Sequence, residues 1–404
     1  MLADPNTATD RAAPPASPLP ASPPLASPIS SRRHLVGLDL MRAVAIGMVL
    51  ASHGGSYVAL WFHVPLPFNI AVAGFFGVEL FFVLSGFLIG GLLIEAARPV
   101  RDRRSAWDAW RVFMLRRWMR TLPAYYAWIG VIAATALAGL AAWPSHLLAH
   151  LTLTQNLAWP MLADWFAVSW SLAVEEWFYL IFASLIVGGT WLLGRRRALW
   201  VGVVLLLTVS PSLRAMLPGN VDWDQVTSKV VLYRLDAIGY GVAVACLLHG
   251  RRLGLAAALA CLVAGAGVIL AIWTGQFSGM MPHRLFLANV IFPLCSVGFA
   301  LCLPAASRAM AAPRWLAAPA ALVSRHAYTL YLVHLTLLGL VNAWSVASGR
   351  GPWAATAAAV ALIVLASWAL SRWVERPVMA RRPVQAASHG GVPRALPPRR
   401  TPPT

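Results

Sequence analysis

The sequence predicts an all-α, polytopic membrane protein of about ten transmembrane helices, and three observations predict it. Hydrophobic residues make up 59% of the 404 residues and charged residues only 11%, whereas a soluble domain is roughly a quarter charged. Ten apolar stretches recur along the chain, each long enough to cross a hydrocarbon layer of about 30 Å as a helix. The arginines that raise the net charge to +18 cluster in every second connection and leave the others poor in positive charge, as the positive-inside rule requires.

In chain order, residues 1–33 are rich in Pro, Ala and Ser and lack the apolar core of a signal peptide. They read as a disordered cytoplasmic tail. The membrane domain is expected over residues 34–380, with apolar segments at 35–54, 71–96, 121–142, 169–193, 198–217, 229–249, 254–273, 285–304, 321–346 and 353–373. Connections 55–70, 143–168 and 218–228 carry no Lys or Arg. The alternate connections hold the eight arginines from Arg98 to Arg120, the run Arg195-Arg196-Arg197, Arg251-Arg252, and Arg308 with Arg314. Arg376, Arg381 and Arg382 follow the last span. This alternation places both termini in the cytoplasm. Residues 381–404 form a second tail rich in Pro and Arg. No soluble catalytic domain is expected, so the chemistry must lie within the membrane or at its edges.

Basic clusters between apolar runs suit anionic lipid rather than nucleic acid. The four cysteines, Cys246, Cys261, Cys295 and Cys302, sit inside apolar segments without metal-ligand spacing, so no metal site or disulfide framework is expected.

The first span, LVGLDLMRAVAIGMVLASHG, carries Asp39, Arg42 and His53. Eleven residues of α-helix rotate by three turns plus roughly 20° and rise about 16 Å, so Arg42 and His53 share a stripe. On the predicted topology Arg42 lies towards the cytoplasm and His53 at the outer end. Glu79, the Glu175/Glu176 pair, Arg234 and Asp236 also fall in outer halves of their spans, with His334 near the middle of the ninth. Each such charge costs about 2.5–3.5 kcal/mol on insertion scales. Six polar groups at one level predict a polar cavity there. At the opposite side Arg116, Arg117 and Arg120 precede the third span. Arg116 and Arg120 are one turn apart, a fork suited to polyphosphate. An anion site inside and a histidine-carboxylate cavity outside suit a transferase with a cytoplasmic, phosphate-bearing donor.

At these residues the chain resembles acyltransferase family 3, integral-membrane enzymes that acylate cell-surface glycans, some lipids and small molecules. GLDLMRAVAIGMVLASH resembles the family's Arg-x10-His helix through Arg42 and His53. GVELFFVLSGFLIGGLL resembles its second-helix signature, with Glu79 where Asp is commoner. RRWMRTLPAYY, WSLAVEEWFY, RLDAIGYGVAVA, AYTLYLVH and WVERPV resemble later elements in order. The resemblance implies transfer of an acyl group, usually acetyl from acetyl-CoA, to a hydroxyl. It implies the standalone form, without an extracytoplasmic esterase-like domain, in a bacterial inner membrane.

In chemical terms, a neutral His53 would remove the acceptor proton while the hydroxyl attacks the thioester carbonyl. Glu79 or one of Glu175 and Glu176 would orient the imidazole. Arg42 would stabilise the oxyanion or steer the donor, and Arg116, Arg117 and Arg120 would hold the CoA phosphates. Arg234, Asp236, His334 and Tyr331 would line the substrate cavity. A two-step route through an acyl-histidine is also compatible.

Blander readings stand beside these. Arg42 can simply pair with Asp39, its i,i+3 neighbour. Glu175 and Glu176, 100° apart on a helix, cannot both face one cavity. The 116–120 arginines are also what topology alone would place there. His63 and His283 read as interfacial histidines, Ser85-Gly86 as close helix packing, and Glu375-Arg376-Pro377 as a helix stop. A transporter or flippase for a polar or lipid-linked solute would use the same buried charges.

Overall fold

In the computed structural model, residues 35–383 are described, except 142, 144–145, 162–163, 219–220, 252, 276–286 and 310–311. The two expected tails and His283 lie outside the described residues. Among the described residues every regular element is helical.

The long helices are α1 (Val36–Phe62), α3 (Ala73–Ala96), α4 (Arg103–Leu137), α6 (Ser169–Leu193), α7 (Arg195–Ala215), α8 (Leu235–Leu248) and α9 (Leu255–Trp273). They are followed by α10 (Phe292–Ala306), α11 (Arg314–Ser348) and α12 (Pro352–Leu370). Short helices α2 (Phe68–Ala71), α5 (Leu147–Leu151) and α13 (Arg376–Ala380) complete the set. Each of the ten expected apolar segments therefore contains a helix. Among the described residues, eight helical stretches are long and apolar enough to cross a membrane, and the chain is a multi-pass membrane protein.

The other two segments differ instructively. Helix α4 begins at Arg103, not near 121, and carries the arginine cluster on its first half. Its start is fixed by a capping box in which Asp102 Oδ1 accepts from Ser105 N at 2.8 Å and Ser105 Oγ accepts from Asp102 N at 3.0 Å. Those Ser105 hydrogen bonds hold the Asp102 carboxyl below its ordinary value. Helix α8 has 14 residues, about 21 Å at 1.5 Å per residue, too short to span alone. The chain reaches it through a π-helical turn, Trp223–Ser228, and a 3-10 turn, Val231–Tyr233. Val231 N donates to Asn156 O, and Asn156 Nδ2 donates to Lys229 O, so this entry segment is tied to the connection before α6.

Cross-helix pairs fix the directions. Arg42 meets Ser324 and His53 meets His334, so α1 and α11 run parallel. Gly74 lies by Ser52 and Gly77 by Ala45, so α3 runs opposite to α1. Trp110 meets Ser184 and Thr121 meets Glu176, making α4 and α6 antiparallel. Tyr328 with Thr121 and Trp128 with Thr336 set α4 parallel to α11. This alternation of direction agrees with the alternation of arginine-rich connections.

Close backbone contact locks α3 to α8. A Cβ added at Gly86 would fall on the Ile238 carbonyl, and one at Gly241 on the Val83 carbonyl. Small residues permit such approach where lipid gives helices no hydrophobic reason to associate. The main core gathers Phe82, Phe113, Tyr125, Phe178, Phe182 and Ile238 at the meeting of α3, α4, α6 and α8. Helix α9 buries only Ala258, Gly265 and Ile272, leaving its apolar surface outward. The expected stop at Glu375-Arg376-Pro377 is corrected: α12 passes through a π turn, Ser371–Glu375, and continues as α13 to Ala380. Proline at N1/N2 of α13 needs no donor of its own there.

Candidate active site

Helices α1, α3, α4, α6 and α11 enclose a cavity of about 170 Å³. Arg42, Arg117, Arg120 and Ser324 line one end. Val78, Phe81, Ser171 and Tyr331 line the other, with Ser85, Glu175, Tyr179 and Tyr328 between them. The polar residues recur at helical spacing. Arg117, Arg120 and Thr121 lie on one face of α4; Ser171, Glu175 and Tyr179 on one face of α6; Ser324, Tyr328 and Tyr331 on one face of α11.

At the arginine end, Arg42 Nη1 donates to Ser324 Oγ at 2.8 Å and to Asp39 Oδ1 at 3.3 Å, and Ser324 Oγ donates to Asp39 Oδ1 at 2.6 Å. The bland pairing with Asp39 is thus present, but Arg42 still faces the cavity. Arg120 pairs with Glu375 at 3.4 Å. Arg117 stacks over Phe113, 6.0 Å from the ring centre, and its buried Nε has no hydrogen-bond partner. Arg116 donates to the Pro383 carbonyl and does not line the cavity. Of the three arginines expected at the donor phosphates, Arg117 and Arg120 line the cavity and Arg116 does not, because the rotation of α4 turns Arg116 towards the chain's last described residues.

The two glutamates separate. Glu175 Oε1 accepts from Ser85 Oγ and Tyr179 OH within the cavity. Glu176 is buried outside it and accepts from Thr121 Oγ1 at 2.5 Å.

Beyond the Tyr331 end stand the two histidines. His53 Nδ1 lies 2.8 Å from His334 Nε2. Their ring centres are 5.1 Å apart with planes within 8°, so the rings meet edge to edge through these nitrogens. His334 Nδ1 lies 2.8 Å from Tyr331 O and 3.1 Å from Leu330 O. The Tyr331 and His334 ring centres are 5.8 Å apart, and the Tyr331 hydroxyl is held 2.6 Å from Ser171 Oγ. Tyr331 therefore stands between the cavity and the histidine pair. His334, expected to line the cavity, is instead fully buried behind it against His53.

The single outer cavity expected from sequence is not what the fold builds. Arg234 donates to Glu79, whose second oxygen accepts from Ser296 Oγ at 2.9 Å. The Arg234 guanidinium also sits 3.8 Å from the centre of the Phe292 ring. Asp236 takes a two-pronged pair from Arg214, at 2.9 and 2.6 Å. All four residues are 0–1% exposed. Glu79, Arg234 and Asp236 thus neutralise one another or Arg214 inside the α3, α7, α8 and α10 packing, and none of the three lines the cavity. None of the expected carboxylates touches His53; His334 occupies that place. Sequence reasoning missed Arg214, although a charge inside the fifth span was its signal. It also missed Ser324 and Tyr179, whose signals were i,i+4 spacing to Tyr328 and Glu175.

The profile of the acyltransferase family 3, described as an acyltransferase domain, matches residues 35–372. The chain belongs to that family. The match runs from α1 into the π turn after α12 and so covers every residue of the cavity and the histidine pair. Among curated proteins, the chain is 28% identical over 219 residues to peptidoglycan O-acetyltransferase OatA of Listeria monocytogenes. That stretch is 45% of this chain and 31% of the relative. It is 32% identical over 151 residues to exopolysaccharide production protein ExoZ of Rhizobium meliloti, covering 34% of this chain and 42% of the relative. The chain thus spans less than half the length of either. No solved structure matches it. Membership in this family weighs against the transporter reading.

Proposed function

We propose that this protein transfers an acyl group, acetyl in the first instance, from acyl-CoA on the cytoplasmic side to a hydroxyl of a glycan on the other side of a bacterial plasma membrane. The observation that carries the proposal is the alignment along α1 and α11 of an arginine-ended cavity with a hydrogen-bonded histidine pair just past its far end. The similarity to a peptidoglycan O-acetyltransferase and an exopolysaccharide production protein supports a glycan acceptor.

In this reading the donor's phosphates rest against Arg117 and Arg120, where guanidinium forks suit phosphate. Its pantetheine arm runs up the cavity past Glu175 and Tyr179 and brings the thioester to Tyr331. His53 removes the proton of the acceptor hydroxyl as that oxygen bonds to the acyl carbon. The carbon–sulfur bond breaks, and the leaving sulfur takes the proton back from His53. Arg42 lies about 16 Å from His53 along the axis, so it guides or clamps the donor and leaves the proton chemistry to His53.

The test is acyl-CoA turnover by the purified protein in detergent with a glycan acceptor, followed by CoA release and acceptor mass. The reading expects His53→Ala to abolish transfer and Arg42→Ala to weaken donor use. Full CoA release and acylation in both variants would overturn it.

A further inference from the structure

We propose that His334 sets the tautomer of His53, so that the bare nitrogen of His53 is Nε2, and that His334 is therefore a positioning residue of the transfer step. The proposal rests on the reading of His53 as the base.

His334 Nδ1 lies within hydrogen-bond distance of two backbone carbonyls, Tyr331 O and Leu330 O, and a carbonyl can only accept. His334 Nδ1 therefore carries a hydrogen. A neutral imidazole has one N–H, so His334 Nε2 presents a lone pair. That lone pair is 2.8 Å from His53 Nδ1, which must donate to it. A neutral His53 then has its hydrogen on Nδ1 and its lone pair on Nε2.

The bare nitrogen of His53 then lies on the side of α3. It faces the start of α3 at Gly74, where an added Cβ would lie 3.8 Å from Nε2 and 3.0 Å from Ser52 Oγ. A Cβ there would stand in ordinary contact with Nε2 and in tight contact with Ser52 Oγ.

The proton balance closes. The acceptor O–H bond breaks and its proton goes to His53 Nε2, while the Nδ1 hydrogen stays in its bond to His334. The acceptor oxygen bonds to the acyl carbon, the carbon–sulfur bond breaks, and the proton passes from Nε2 to sulfur. His334 thus fills the orienting role that a carboxylate plays in a Ser-His-Asp triad, with a dipole in place of a charge.

The test uses the full chain in bilayers with 15N-labelled histidine, read by solid-state NMR, together with steady-state kinetics in detergent. The His53 signals are identified by their loss in His53→Gln. The expected wild-type pattern is a protonated Nδ1 and a bare Nε2, which mixes with the opposite tautomer in His334→Phe. In that variant kcat should fall about 10–100-fold, the usual range for a lost orienting partner, with KM for acetyl-CoA unchanged. His334→Gln, whose amide oxygen can accept from His53 Nδ1, should recover most of kcat. A wild-type His53 protonated on Nε2, or full turnover by His334→Phe, would overturn the proposal. Full turnover by His53→Ala would instead remove the base reading, whatever tautomer the spectra report.

Discussion

Glu175 and Glu176 are adjacent in sequence and face different worlds: Glu175 accepts from Ser85 and Tyr179 in the cavity, while Glu176 accepts from Thr121 in the packing between α6 and α4. The 100° step between neighbours on a helix makes this separation unavoidable, and the rotation of α6 decides which one faces the cavity. Glu175→Gln should lower kcat/KM for acyl-CoA about tenfold, a loss near 1.4 kcal/mol. Glu176→Gln should leave kcat/KM within about twofold and show its effect in thermal unfolding. Kinetics and melting of both variants check the assignment, and equal kinetic losses would refute it.

Removing one partner of the Glu79–Arg234 pair strands a charge among apolar groups. Glu79→Leu should cost about 3–5 kcal/mol of stability. Glu79→Leu with Arg234→Met should recover much of that loss, because no uncompensated charge remains. Thermal unfolding of the solubilised protein, followed by size-exclusion chromatography, reads both.

Of Arg116, Arg117 and Arg120, the two that line the cavity should be separable from the one that does not. Arg117→Gln should raise KM for acetyl-CoA about tenfold, in keeping with about 1.5–3 kcal/mol for a hydrogen bond to a charged group. It should leave KM for acetyl-pantetheine, which lacks the nucleotide phosphates, unchanged. Arg116→Gln should move neither constant, because its guanidinium serves the Pro383 carbonyl. Steady-state kinetics with the two donors distinguishes phosphate recognition from a general effect of basic charge.

Gly86→Ala should destabilise the protein by about 1–3 kcal/mol, the usual cost of overfilling a packed contact, because the new methyl falls on the Ile238 carbonyl. Gly91→Ala, where nothing lies within 4 Å of the added carbon, should be neutral or slightly stabilising by helix propensity. Melting temperatures of the two variants make the comparison.

Some of this was legible along the chain. The apolar segments and the arginine clusters gave the helices their number and alternating direction, since span length and charge bias are local properties. The Arg42–His53 stripe followed from helical period alone. The start of α4 at Arg103 is not legible along the chain, because arginines in a connection and arginines on an extended helix look alike without the Asp102–Ser105 cap. Depth was also misleading. Glu79, Arg234 and Asp236 do lie in outer halves of their segments, but residues at one depth can face different neighbours around the bundle.

What the sequence by itself determined was the all-α membrane class, the family, and the residues that carry charge into the membrane. Each of these is written in composition, in the 3.6-residue period, or in motifs read along one helix. Only the tertiary structure decided that Arg214 answers Asp236, that Arg234 answers Glu79, and that His334 answers His53. Those partners lie 22 to 281 residues apart. Their meeting depends on the rotation and depth of each helix, which are set by cross-helix contacts such as Gly86 against Ile238 rather than by any pattern along the chain.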